Sequence, residues 1–279
     1  MLGHKLTQVL GADHDLWATT TDAGADLLAI SHLATDRLLS GFDALSPADL
    51  EQAFAVVKPD VVINAIGIVK QSHLMADSEL TIAINASLPH RLQHLAQQHG
   101  GTLIHLSTDC VFSGKTGMYT EDDLPDAVDL YGRSKLLGET DLDESLTLRT
   151  SMIGAEIRHR LGLLEWLFAQ PPGEVPGFTN AHFSGLPTIV LAQTIGRLID
   201  EGLLLRGCFH VASDRISKFE LLELVTRAMD GPWRIVPNPS LEVDRSLNGS
   251  RFHTTTGIGF PSWPELVEVM VADINASTT

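Results

Sequence analysis

Residues 60–66 read Asp-Val-Val-Ile-Asn-Ala-Ile, an apolar run with no alternation of polar and apolar positions. β-branched side chains favour extended backbone, and a strand without a polar face must be covered on both sides. Leu103-Ile104-His105-Leu106 and Leu146-Thr147-Leu148-Arg149 are runs of the same kind, and helical stretches separate the three. Helices must therefore lie on both faces of a parallel sheet, which predicts a doubly wound α/β fold.

The segments between fit that plan. Leu16–Thr19 and Cys208–Ala212 read as further strands. Ser46-Pro47-Ala48-Asp49 opens a helix with a capping residue and proline at the first helical position. Residues 78–98 read as one helix, kinked at Pro89 and ended by Gly100-Gly101. Helices are also predicted over 130–139 and 189–199. Ser217 and Glu220 form a capping box ahead of Leu221, Leu224, Val225 and Ala228, which share one helical face. The Pro/Gly-rich stretch 171–187 breaks the strand–helix rhythm.

Composition removes several function classes. Lys and Arg total 19 against 35 Asp and Glu, a net charge of −16. Such a chain repels phosphate backbones, and no basic cluster is denser than Arg158 with Arg160, so nucleic acid is not an expected partner. No apolar run approaches the roughly 18 residues of a membrane span, and the start lacks a signal-peptide core. Two cysteines, Cys110 and Cys208, make no disulfide framework. The expectation is a soluble cytoplasmic protein with no membrane partner.

Chemistry concentrates in residues 107–139. Tyr131 and Lys135 stand at i and i+4, on one face of the helix expected there. An ammonium beside a phenol favours the phenolate and draws its pKa down toward useful acid–base range. Ser107-Thr108-Asp109 ends a buried strand, where open α/β sheets place their ligands. A hydroxyl there can polarise a carbonyl oxygen while the tyrosine delivers a proton. That constellation is the one a carbonyl reductase needs.

Ser-Thr-Asp-Cys-Val-Phe-Ser-Gly at 107–114, Tyr119-Thr120-Glu121-Asp122-Asp123 and Leu130-Tyr131-Gly132-Arg133-Ser134-Lys135 resemble the extended short-chain dehydrogenase/reductases. Within them the chain is most similar to the sugar-nucleotide branch typified by dTDP-4-dehydrorhamnose reductase. The resemblance implies a Rossmann-like sheet over residues 1–150 that binds NAD(P), and a mainly substrate-binding lobe over 151–279, with 187–212 returning to the first domain. It implies a catalytic triad of Thr108, Tyr131 and Lys135, acting on the C4 ketone of a nucleotide-activated 4-keto-6-deoxy sugar in surface polysaccharide synthesis. Hydride would come from NADP(H), with NAD(H) accepted, since Thr19-Thr20-Thr21-Asp22 offers no arginine for a 2′-phosphate. Cofactor contacts would fall at Gly3, Asp43, Ala44, Ala65, Ile66, Gly67, Lys135, Thr150 and Ser151; no metal is implied. Asn85 would sit behind the site, as a buried amide or a catalytic one. A sugar nucleotide is the expected partner, and a homodimer the expected assembly.

The resemblance also has gaps. The family's Gly-x-x-Gly-x-x-Gly turn would end at Gly3, and the strand before it is missing, so Met1 is expected to be an internal methionine of a longer chain. Cys110 stands where many relatives carry tyrosine, an offset used by epimerase–reductases of the GDP-fucose synthase type together with a histidine. His159 lies in the matching region and reads as a surface residue; His182 is a second candidate facing substrate. Cys110 itself reads better as a small buried hydrophobe. A non-catalytic role like that of the regulatory subunit of methionine adenosyltransferase is a further alternative.

Overall fold

The computed structural model describes residues 1–31, 33–140, 143–157 and 161–278. Helix α1 (Leu2–Leu10) is followed by strand β1 (Ala18–Thr20), α2 (Ala25–Ile30), β2 (Leu38–Ser40), α3 (Pro47–Val57), β3 (Val61–Asn64), α4 (Ser78–Ile82), α5 (Leu88–Gln98) and β4 (Thr102–Thr108). Then come α6 (Leu130–Leu137), β5 (Leu146–Thr150), β6 (Met152–Ile153), α7 (Leu163–Phe168), β7 (Gly173–Phe178), β8 (Ala181–Phe183) and β9 (Leu186–Pro187). The remainder is α8 (Thr188–Asp200), β10 (Gly207–His210), β11 (Ile216–Ser217), α9 (Lys218–Ala228), β12 (Trp233–Asn238), β13 (Val243–Asp244), α10 (Ser250–Thr256) and α11 (Trp263–Thr278).

The main sheet has the order β10-β5-β4-β3, all parallel. It is the Rossmann-like α/β architecture that the uninterrupted apolar runs require. Leu103, Ile104, Leu146 and Leu148 are buried in its middle strands. On one face α8 packs Leu191, Ile195 and Leu198 against Leu2, Leu6 and Leu10 of α1, all in one core. Each such leucine, once buried, contributes about 1.5–3 kcal/mol. Lys5 of α1 reaches Asp273 of α11 at 2.7 Å, closing the outer layer. No helix among the described residues is long and apolar enough to cross a membrane.

Strands β1 and β2 pair with each other, in parallel, but not with the main sheet. Between this ribbon and the open edge of β3 lies a cavity of about 550 Å³, lined by Trp17 and Thr19 on one side, Val61 and Ile63 on the other, and Leu6 of α1. The sheet is therefore interrupted, with no strand in that gap among the described residues.

Three local readings need correction. The early strand covers Ala18–Thr20 and leaves out Leu16 and Trp17. The strand at 103–106 is longer, Thr102–Thr108, so it carries Thr108 in its last position. The 78–98 helix is broken by a π-helical turn at Ala83–Ser87, just before Pro89. Proline has no N–H to offer the carbonyl four residues back, that of Asn85, and the extra residue of the π turn absorbs the mismatch.

The later chain forms a second cluster of strands. β7 runs parallel to β12, and β8 is flanked by β11 and β13. Val175 and Ile235 from this layer pack with Leu221 and Val225 of α9. β13 and the residues after it lead back to the end of β4: Asp244 N–H donates to the Gly114 carbonyl at 2.7 Å, and Tyr119 N–H to that of Ser246 at 3.0 Å.

Candidate active site

Thr108 is 6 % exposed and ends β4. Its hydroxyl accepts the Cys110 N–H at 3.1 Å and donates to the Asp109 carboxylate at 3.2 Å, which caps the 3-10 turn Asp109–Val111. α6 comes to rest on that turn. Asp129 caps the helix by accepting the Gly132 N–H at 2.8 Å, and Lys70 holds Asp129 at 2.6 Å. A Cβ at Gly132 would lie 2.1 Å from the Cys110 carbonyl oxygen. Only glycine permits this approach, which sets the neighbouring Tyr131 near Thr108, whose hydroxyl favours the ionised phenol against burial.

One helical turn further, Lys135 points inward. It is 5 % exposed, and its Nζ donates to the Leu106 carbonyl at 2.7 Å. Gly138 ends α6, and a Cβ there would strike the Asn85 carbonyl at 2.0 Å. Asn85 is fully occupied on this seam. Its Oδ1 accepts the Ile68 N–H at 2.8 Å, while its Nδ2 donates to the Ile68 carbonyl at 2.9 Å and to Ser134 at 3.2 Å. Asn85 thus ties the loop after β3 to α6.

Burial governs the electrostatics. It pushes the Tyr131 phenol up, Cys110 adds to the rise, and the Thr108 hydroxyl opposes it. The Lys135 ammonium is brought down to about 8 by burial, with Glu139 opposing. The expectation that Lys135 draws the phenol down is therefore not met in this state: desolvation dominates, and Nζ is engaged with a carbonyl. Tyr131 keeps its proton and can act as a donor. Burial also raises the Asp109 carboxyl, against Arg245 and hydrogen bonds from its neighbours.

The other sequence candidates divide between an open face and the interior. Ala65, Ile66 and Gly67 are exposed at the C-terminal end of β3, and Ala65 and Ile66 line the cavity together with Asp22 and Ala44. Asp43 is exposed, its Oδ1 accepting the Leu45 N–H at 2.9 Å. Thr150 lies inside the sheet, its hydroxyl donating to the Val211 carbonyl at 2.8 Å, so it braces the core. Ser151 is half-buried and acts on Asp109, helping to oppose the rise of its carboxyl pKa. Gly3 sits in the first turn of α1, not in a tight turn, and a Cβ there would meet nothing within 4 Å.

Cys110 is half-buried, and burial with the nearby Asp109 carboxylate pushes its thiol up to about 12. His182 lies in β8 paired with Ser217 and Asp244, so it belongs to the second strand cluster. His159 lies outside the described residues. Two cations to which motif reading gave no role act on this turn. Arg245 donates from Nε to the Phe112 carbonyl at 3.0 Å and favours ionised Asp109. Lys218, first residue of α9, is influenced by both Asp109 and Cys110. The capping box at Ser217 fixed the start of α9, but only the fold reveals that this start faces the end of β4.

Residues 1–275 match the family described as RmlD substrate binding domain. The dTDP-4-dehydrorhamnose reductase of Escherichia coli is 30% identical over 261 residues, 85% of this chain and 87% of that protein. The chain belongs to the RmlD family. A probable low-salt glycan biosynthesis reductase of Haloferax volcanii is 34% identical over 164 residues, so that match spans only 55% of this chain and 54% of that protein. Among solved structures, the dTDP-4-dehydrorhamnose reductase of Bacillus anthracis in complex with NADP superposes with a TM-score of 0.75 at 19% identity, covering 92% of this chain and 98% of that one. The RmlD fold is thus shared along nearly the whole chain.

Proposed function

We propose that this RmlD-family chain is an NAD(P)H-dependent reductase of the C4 ketone of a nucleotide-activated 4-keto-6-deoxy sugar, serving surface polysaccharide synthesis. The observation that carries the reading is the seating of Tyr131 against Thr108 at the end of β4, with Lys135 buried one turn behind. The relatives named above are reductases, and the Bacillus anthracis dTDP-4-dehydrorhamnose reductase was solved in complex with NADP.

The residues present fit a dinucleotide on two counts. The exposed backbone of 65–67 leads from β3 toward α6, and the cavity runs from there to Asp22 and Ala44. Ala65, Ile66, Gly67 and Lys135 would hold the nicotinamide half, and Ala44 with Asp43 the adenine half. NADP(H) is favoured and NAD(H) accepted. A bound reduced nicotinamide supplies the hydride. Tyr131 donates its phenolic proton to the ketone oxygen, and Thr108 orients that oxygen by hydrogen bonding. Lys135 holds positive charge beside the site as the tyrosine gives up its proton. Arg245 and Lys218, facing the same turn from the later strand cluster, suit a substrate that carries phosphates. We assign residues 1–150 to the dinucleotide domain and 151–279 mainly to substrate. A coupled epimerisation is disfavoured, because a thiol held near 12 carries its proton at neutral pH.

The test is oxidation of NADPH or NADH on mixing the protein with a panel of sugar nucleotides. Turnover with dTDP-4-dehydrorhamnose or a close 4-keto analogue is expected; no oxidation of either nucleotide with any member would overturn the reading.

A further inference from the structure

Behind Lys135 lies a group that the reductase reading leaves without a role. His105, in β4, is fully buried, one ring nitrogen turned to each of two side chains. Nδ1 is 3.1 Å from Asn64 Nδ2, and Nε2 is 3.5 Å from Lys135 Nζ. Asn64 ends β3 and is 2 % exposed.

The amide of Asn64 cannot be turned around without loss. Its Oδ1 accepts the Ile66 N–H at 3.1 Å, and a flip would set an NH₂ against that N–H. The NH₂ group must then donate to His105 Nδ1, which has to present a lone pair. A neutral imidazole with a bare Nδ1 carries its proton on Nε2. Nε2–H therefore faces Lys135 Nζ. We propose that Asn64 and His105 form a positioning pair for Lys135: Asn64 locks the ring in the Nε2–H tautomer, and the ring sets a donor, not an acceptor, against the lysine nitrogen.

An ammonium has only donors, so two donors face each other across 3.5 Å while Lys135 is charged. A free amine has a lone pair that Nε2–H can meet. The pair thus loosens the lysine's proton and leaves the Leu106 carbonyl as the acceptor that holds Nζ in place. The charges around the pair agree. Burial and the Lys135 charge, with His90 of α5, hold the His105 pKa well below its ordinary value, so the ring stays neutral. Glu139, just past the end of α6, is the group that pulls the lysine the other way. Because Asn64 also holds the Ile66 N–H, the backbone proposed to line the cofactor trough is joined through one ring to the proposed catalytic lysine.

The consequence for catalysis rests on the reductase reading, but the first test does not. Nitrogen-15 spectra of the intact chain, with His105 assigned by its loss in His105→Gln, report the tautomer directly. We expect Nδ1 in the unprotonated range and Nε2 in the protonated range across neutral pH. Asn64→Asp keeps an acceptor for Ile66 N–H but turns a carboxylate oxygen to Nδ1, so the tautomer should reverse and Nε2 should become an acceptor for Lys135. The second test is the pH profile of Lys135 acetylation, read by mass spectrometry after brief labelling. In Asn64→Asp, and in His105→Gln with its amide oxygen free to accept, labelling at pH 8 should fall several-fold, about fivefold for a rise of one pKa unit from about 8. A wild-type spectrum showing Nδ1–H, or an imidazolium at pH 7, overturns the proposal, whether or not either variant folds. So does a folded variant with an unchanged labelling profile. Absence of reductase turnover would fault only the functional reading, since neither readout uses it.

Discussion

The Lys135 ammonium donates to the Leu106 carbonyl at 2.7 Å from a side chain that is 5 % exposed, so a cation is kept inside the parallel sheet's edge layer. Its pKa, brought down to about 8 from 10.5 in the unfolded chain, makes this a cost. Below pH 8 both states are protonated and the full penalty applies. Between about 8 and 10.5 the folded form has released a proton that the unfolded form retains, so stability rises with pH. Measured against Lys135→Met, whose stability lacks this dependence, the wild type should gain roughly 3 kcal/mol across that window. Denaturant unfolding of both proteins at several pH values checks it; a flat difference would refute the buried-cation assignment.

Tyr131→Phe removes the proton donor and little else, because Gly132 and the Asp129 cap set the course of α6. Turnover should fall by about 10²–10⁴, the usual contribution of a general acid. Dinucleotide binding and the melting temperature should stay close to wild type. Single-turnover hydride transfer, measured beside cofactor titration, separates the two.

These expectations show where the sequence was readable. The doubly wound fold follows from unalternating strands such as Val61–Ile63, and the shared face of Tyr131 and Lys135, two of the proposed catalytic residues, from their i, i+4 spacing on α6. Less visible was what depends on close approach. Gly132 stands inside a helix, where glycine is locally unfavourable, and Gly138 at the helix end; the backbone of Cys110 and of Asn85 pressing on them explains why neither carries a side chain. Lys218 and Arg245 lie more than a hundred residues from Asp109, and no local pattern brings them there. The Tyr131 pKa, expected to fall beside Lys135, is instead raised by burial, a quantity that spacing does not report.

Glu139 should be the most sensitive structural residue of the site. Its carboxylate takes two bonds from Arg149, at 2.8 and 2.7 Å, and one from Ser107 at 2.7 Å. Both side chains of the ion pair are at most 10 % exposed. Glu139→Ala leaves the guanidinium buried without its partner, which typically costs about 3–5 kcal/mol. Glu139→Gln keeps an acceptor and should cost clearly less. Urea unfolding of the two variants gives the comparison, and equal losses would count against the pair as a buried unit.

Cys110→Ala separates reduction from epimerisation. With the thiol held near 12, no base stands at this position at neutral pH. Solvent deuterium should therefore not enter the carbons beside the ketone in the wild type, and the variant should reduce the same substrate at a comparable rate. Mass spectrometry of product formed in deuterium oxide reads both. Deuterium uptake that vanished in Cys110→Ala would restore the coupled reaction.

The gap between β1 and β3 yields the last prediction. Two parallel sheets face it with open edges, and Val61 and Ile63 line it only half-buried. His4 Nδ1 is buried beside it with no hydrogen-bond partner among the described residues, and burial holds the amino group of Met1 below its ordinary pKa. Each buried backbone group left unpaired costs about 1–3 kcal/mol, against a total stability on the order of 5–15 kcal/mol. An extended apolar segment laid into the gap would pair with both edges and join the ribbon to the main sheet. Fusing such a strand ahead of Met1, ended by Gly-x-x-Gly, should therefore raise the melting temperature by several degrees, at about 2–4 °C per kcal/mol. It should also tighten dinucleotide binding, because a glycine turn would set backbone N–H groups at the start of α1, the position at which dinucleotide-binding folds hold a pyrophosphate. The same fusion with two prolines in the strand cannot form the ladder and should gain neither. Thermal unfolding and cofactor titration of the three proteins decide it: equal behaviour of the apolar and proline fusions would show that the gap does not accept a strand.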